Sequence, residues 1–338
     1  MKYSYIFITL ILSISMSVSA KTRKVKFGTL APDGTPWADQ LNLIKTQVEK
    51  ESKNKIKVKV FLGGQLGGER EVIEKVRRGH IQGAGITMAA ISNVIPELDV
   101  LEVPYLFESN EEVDYVLDKV LLPEISKLFD EKDLILVSLA ENGWRSIGHK
   151  SILVKSPKDL KGQKMRSQES KVHLEFWKSM GASPVAISIP EVLTSLQTGM
   201  VKGYDNTPLF MVAAEWNTAI KNYSLTRHIY QAAAIIYSKK FWKKLTPEEQ
   251  KILMGKGNEL AKEVRASVRK LDVELIGVIK ESGVKVHELS VKEKGEFSKL
   301  LSLKRKSIVK ELGPRAEAFY QKVLTGKKKY KETKTKLK

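Results

Sequence analysis

The feature that most narrows the fold is an alternation, begun near the N-terminus, between apolar patterns of period two and period 3.6. "KVKFGTLAP", from Lys24 to Pro32, alternates like a strand and ends in the turn "APDGTP". "WADQLNLIKTQVEKES" then puts Trp37, Leu41, Ile44 and Val48 on one helical stripe, and "KIKVKVF" brings Ile56, Val58 and Val60 to one face of a strand. The scheme repeats: the Gly-rich turn "GGQLGG" leads into a helix from about Glu69 to Arg78 and a small-residue strand from Gly83 to Met88. Helices placed between strands imply a parallel sheet that the helices cover, so the expected class is α/β.

A second α/β section follows the strand-like "LILVSLA", Leu134 to Ala140, and runs to about Tyr230. Another strand and a long polar helix pattern, Pro247 to about Ser282, come after it. The 338 residues suffice for two lobes with separate cores, and no low-complexity tether divides them. Within the second section "DLKGQKMRSQESKVHLEFWKSMG" predicts a short strand, Gln163 to Arg166, then a helix capped by Ser167 and stopped by Gly181. Arg166 therefore falls at the carboxyl end of a strand and beside a helix N-terminus. Open α/β folds bind ligands there, and both guanidinium and helix amides favour an anion.

Composition removes whole classes of function. The chain has no cysteine, which excludes a disulfide scaffold, thiol catalysis, Cys-ligated zinc and a lipid-modified cysteine. His80, His149, His173, His228 and His287 show no metal-ligand spacing, so no metal is expected. A nucleophile elbow, a Walker A lysine and a complete dinucleotide loop are all missing, so neither a cofactor nor an enzyme is indicated. "MKYSYIFITLILSISMSVSA" has the early charge, apolar run and small residues of an export signal cleaved after Ala20, so a periplasmic location is expected. The net charge of +19 does not point to nucleic acid: "GKKKYKETKTKLK" alone carries seven Lys against one Glu, and the other cations are interleaved with acids along helices. That tail, 326–338, is expected to be basic and without fixed structure.

Binding chemistry does have anchors. Arg145, after "ENGW", and Arg166, after "GQKM", both follow strand signals where the two sections meet. A guanidinium pairs with a planar carboxylate in bidentate fashion, which an ammonium cannot do. The alternative is that each arginine pairs internally, with Asp205 or Glu169 for example. Trp37 and Trp216 are candidate apolar walls, or else core tryptophans.

The ordered series "VKFGTLAP", "GGQLGGERE", "VPYLF", "NGWR", "DLKGQKMR", "GASPVAISIPEVLTSLQTG" and "DNTPL" resembles the DctP-type solute receptors of tripartite ATP-independent periplasmic (TRAP) transporters, from about Lys24 to Leu324. The resemblance implies a two-lobed periplasmic binding protein fold with crossing strands and a long lobe-spanning helix. It implies a receptor that closes on a small organic acid and delivers it to membrane permease subunits of a TRAP transporter, as a monomer. Arg166 matches the family arginine that clamps the ligand carboxylate, Arg145 a second arginine of sialic-acid-type members, and Asn206 the amide of the neighbouring loop. Leu30, Thr87, Glu169 and Ile189 fall where other members line the cleft.

Leu30 and Thr87 replace polar or acidic contacts and Ile189 replaces an aromatic. The expected ligand is accordingly a keto, hydroxy, branched or aromatic monocarboxylate rather than a sialic or uronic acid. The lobes are expected at 24–142 plus 231–270 and at 143–230 plus 271–325. Two other readings stay open: the same fold holding an apolar or aromatic ligand without an arginine clamp, and an exported enzyme.

Overall fold

The computed structural model describes residues 22–336, so the expected export signal and the last two residues of the basic tail lie outside the described residues. The strands are β1 (Arg23–Thr29), β2 (Ile56–Phe61), β3 (Gly83–Thr87), β4 (Leu134–His149), β5 (Lys164–Ser167), β6 (Ser183–Ala186), β7 (Gly203–Asn206), β8 (Asn222–Ser238) and β9 (Lys285–Glu288). Among the described residues they form one sheet in the order β2-β1-β3-β8-β4-β7-β5-β6, with β9 beside β8. β1 pairs parallel with β2 and β3, and β5 parallel with β6 and β7. Two parallel α/β units thus flank a central antiparallel pair.

That pair joins the lobes. β4 and β8 run antiparallel from Leu134 opposite Ser238 to His149 opposite Asn222. One end of the ribbon continues the first unit through β3, and the other meets β7 and β9. The ladder slips at Glu141/Gly143, midway along β4, where Gly143 adopts φ +100°, a backbone conformation that a side chain disfavours. Four hydrophobic clusters result, two on each lobe. Trp37, Leu41, Val58 and Ile235 centre one on the first lobe, and Tyr204, Trp216, Tyr223 and Leu196 one on the second.

Local sequence explains the helices that place the site. α1 (Pro36–Glu51) starts at Thr35, whose side chain accepts from the Ala38 amide, with proline in the first turn. α2 (Glu69–Arg78) follows "GGQLGG" and stops at Gly79 in the left-handed region. α3 (Lys171–Ser179) is capped by Ser170, not by Ser167 as expected. Ser167 instead stays in the strand, paired with Ala186, and the chain needs Gln168 and Glu169 to turn before the helix can begin.

The polar pattern from Pro247 is two helices: Pro247–Met254 ends at Gly255, and α4 (Asn258–Glu281) spans the lobes, packing on β4 and on the α1 side of the first lobe. The Lys-rich tail is a further correction. After α5 (Val291–Glu311), α6 runs unbroken from Pro314 to Lys336. Ala316, Phe319, Tyr320 and Val323 form an apolar stripe on α6 that packs into the core of the first lobe, not the second. Gly326 continues that face so close to the first lobe that a Cβ there would sit 3.3 Å from Val116 and Val120, and Lys327 donates to the Leu106 carbonyl oxygen and lies 3.2 Å from Glu112. Composition read the segment as unstructured because it counted lysines, whereas every third or fourth residue supplies a contact.

Candidate functional site

Two adjoining cavities lie between the units, at the carboxyl ends of the parallel strands. One, of ≈ 480 Å³ including its open mouth, is walled by Leu30, Trp37, Ile189, Leu209 and Phe210 with Asn142 at its floor. The other, of ≈ 340 Å³, is bounded by Arg166, Gln168 and Glu169 on one side and Arg70, Ala90 and Asn93 on the other. Leu30, Glu69, Thr87 and Ile189 border both, so they form one cleft with Glu69 at the seam. Leu30 is pressed into it by the glycine turn: a Cβ on Gly64 would sit 2.7 Å from the Leu30 Cδ2, and Gly64 already has φ +78°.

Arg166 is the penultimate residue of β5 and is 2% exposed. Its Nε donates to the Ile187 carbonyl at 3.0 Å, while its Nη1 is buried with no hydrogen-bond partner among the described residues. The guanidinium carbon lies 5.6 Å from the ring centre of Trp216, a cation–π contact with a buried residue that lines neither cavity. Burial pushes the Arg166 pKa down to about 9; the neighbouring charge of Arg145 lowers it too, and Asp205, Glu69 and Glu169 oppose the shift. At neutral pH it is still a cation, held in a dry wall with a donor unused.

Arg145 has the opposite surroundings. Its Nε lies 2.5 Å from Asp205 Oδ2, Nη1 reaches the Asn206 side-chain oxygen at 3.1 Å and Gln231 at 2.9 Å, and Nη2 donates to the Asp205 carbonyl. Despite the cost of burial, the Arg145 charge, the His228 hydrogen bond and the nearby His173 hold the Asp205 carboxyl well below its usual range. His173 and His228 are buried beside it, each pushed down chiefly by desolvation, and His173 Nε2 lies 2.5 Å from Glu102 Oε2.

Of the residues expected at the site, Leu30, Thr87, Glu169, Ile189, Trp37 and Arg166 border the cleft. Arg145 and Trp216, expected as direct contacts, stand behind its wall: Arg145 is fully engaged inside the fold, and Trp216 supports Arg166 from the core. Asn206 is turned inward as well, its oxygen accepting from Arg145 and from the Thr207 amide, although Thr207 itself borders the cleft. Glu169 lies in the loop ahead of α3, where the short strand leaves it facing the cavity.

Glu69 is the residue that the sequence reading passed over. It accepts from the Thr87 amide at 2.7 Å and the Thr87 hydroxyl at 2.6 Å, so Thr87 acts through it. Desolvation raises its pKa, countered by those two hydrogen bonds and by Arg166 and Arg145. An acid at the first position of a helix reads as a dipole partner. What would have marked it as functional is its place directly after a strand-turn, on the ligand edge of the sheet.

Residues 27–311 match the sequence model described as DctP, bacterial extracellular solute-binding protein, family 7. A solute-binding protein of Verminephrobacter eiseniae is 32% identical over 240 residues, 71% of this chain and 72% of that protein. The 2,3-diketo-L-gulonate-binding periplasmic protein YiaO of Escherichia coli K12 is 28% identical over 239 residues, 71% and 73% of the two chains. A TRAP periplasmic solute-binding protein of Polaromonas sp. JS666, solved with D-erythronate bound, superposes with a TM-score of 0.80 at 27% identity, covering 88% of this chain and 98% of that one.

Proposed function

From the premise that this chain belongs to the DctP family, bacterial extracellular solute-binding proteins of family 7, we propose that its cleft holds a short hydroxylated or keto monocarboxylate by a charge clamp at Arg166. The chain is a receptor of TRAP type rather than an enzyme, and it hands its ligand to the membrane subunits of the transporter. A periplasmic location after cleavage at Ala20, a monomeric state, and lobes that meet at 142/143 and 230/231 are part of this reading.

The single observation that carries it is the unpartnered, buried Nη1 of Arg166 in the wall of a two-sided cleft. Burying a guanidinium without a full set of partners costs several kcal/mol, so the site is incomplete until an acceptor arrives. A carboxylate supplies it with charge and planar geometry. Glu69, at the seam, provides the acceptor for a ligand hydroxyl, and Leu30, Trp37, Ile189 and Phe210 cover an apolar edge. The expected preference against sialic and uronic acids followed from Leu30, Thr87 and Ile189 replacing polar, acidic or aromatic contacts, and Glu69 beside Thr87 supplies an acceptor that those positions lack. The D-erythronate and 2,3-diketo-L-gulonate named for the two relatives above carry this combination of carboxylate and oxygenated carbons.

Because the ligand touches both lobes, it favours the closed arrangement by its differential affinity for it. The test is a calorimetric series of D-erythronate, an aliphatic keto acid of the same length and a uronic acid, against the wild type and Glu69→Gln. The expected result is tight erythronate binding that Glu69→Gln weakens about tenfold, one lost hydrogen bond to a charged acceptor, with the keto acid less affected. Equal effects on both acids would remove Glu69 from hydroxyl recognition, and uronate binding alone would refute the short-acid reading.

A further inference from the structure

We propose that the outer end of α6 is a docking surface for anionic lipid headgroups, a role separate from ligand binding. Residues 328–336, "KKYKETKTK", hold five Lys and one Glu, and apart from Tyr330 every one of them is exposed. The helix is not loose there. Lys327 is fixed to the Leu106 carbonyl and to Glu112, Lys331 lies 3.2 Å from Glu108, and Tyr330 packs on Tyr115 with ring centres 5.6 Å apart.

Above this tyrosine pair the cations gather: Lys119 lies 5.8 Å from the Tyr115 ring centre and Lys334 5.9 Å from that of Tyr330. Lys329, Lys334 and Lys336 make no ion pair among the described residues, and Lys328 has only an exposed contact with Glu332 at 4.0 Å. A rigid helix end therefore presents surplus positive charge over two half-buried phenol rings.

The chemistry selects a lipid surface over a folded acidic partner. From Ala316 onward the chain has lysine and no arginine, which means compact point charges without the fork that matches a fixed carboxylate. Lys328, Lys329, Lys334 and Lys336 point to several sides of the helix at 3.6 residues per turn, so no single pattern of acids could meet them all. A fluid layer of anionic phosphates can, because its charges move to the cations, and tyrosine is suited to the headgroup level. Such docking would hold the receptor in the plane where its permease lies.

The experiment is co-sedimentation of the full mature chain with phosphatidylcholine vesicles and with mixed phosphatidylcholine–phosphatidylglycerol vesicles, at low and at physiological salt. The wild type should bind only the anionic vesicles and release as salt screens the contact. A variant with Lys328, Lys329, Lys334 and Lys336 all changed to Gln should bind at least about tenfold more weakly with a nearly unchanged melting temperature, since the contacts of Lys328 with Glu332 and of Lys334 with the Tyr330 ring are solvent-exposed and made within the helix. Failure of the wild type to bind anionic vesicles at low salt, or equal binding by the variant, overturns the proposal. So does capture by an immobilised polyglutamate without any vesicle binding, which would assign the surface to an acidic protein.

Discussion

Arg145 on β4 and Arg166 on β5 belong to one sheet with β7 between their strands, are both almost fully buried, and differ in what surrounds them. Arg145 meets a carboxylate, two side-chain oxygens and a backbone carbonyl, whereas Arg166 meets one carbonyl and an indole face. The difference teaches how a buried charge reveals its role. A cation whose every nitrogen has a partner belongs to the fold, and one with a nitrogen left over is held ready for something the chain does not contain.

The largest expected effect comes from breaking the satisfied site. Arg145→Met leaves the buried Asp205 without its cation, and should cost about 3–5 kcal/mol of unfolding free energy by urea titration, as for other broken buried pairs. A cost under about 1 kcal/mol would show that Asp205 finds another partner and that Arg145 is not the structural member of the two.

The acids repeat the contrast on a smaller scale. Asp205, paired with Arg145, is held well below its ordinary range, but Asp99, which accepts from neutral donors such as the Ser170 hydroxyl at 2.7 Å and the Val172 amide at 3.2 Å, is pushed up by burial to about 6. The sign follows from linkage. A carboxyl that holds its proton more tightly when folded favours the folded state as pH falls from about 6 towards 4, and disfavours it as pH rises through that window. Against Asp99→Asn, the wild type should therefore gain up to about 3 kcal/mol of relative stability between pH 7 and pH 4. Parallel stability–pH curves for the two proteins would mean that folding leaves the Asp99 carboxyl at its ordinary value.

Much of this was legible in the sequence. The β-α-β alternation foretold two parallel units, and "GQKMR" placed Arg166 near the carboxyl end of a strand because period and turn residues are local signals. Partner choice is not local. Asp205 lies far along the chain from Arg145, and only the pairing of β4 with β7 brings them together. Glu69 looked like a helix-start acid because its contact with Thr87 depends on how α2 sits against β3. The cap moved from Ser167 to Ser170 because strand pairing with β6 outlasted the local preference. The Lys-rich tail was misread for a related reason: charge dominates its composition, while the small apolar stripe that docks it is spread over several turns.

The central claim, that Arg166 is the clamp, is tested most directly by the melting temperature of Arg166→Met with and without saturating D-erythronate. Removing an unpartnered buried charge should leave the ligand-free protein as stable as the wild type or more so, by roughly 1–3 kcal/mol, while abolishing the ligand-induced rise. A ligand-free variant that melts as far below the wild type as Arg145→Met does, or one whose melting temperature D-erythronate still raises by the wild-type amount, would contradict it.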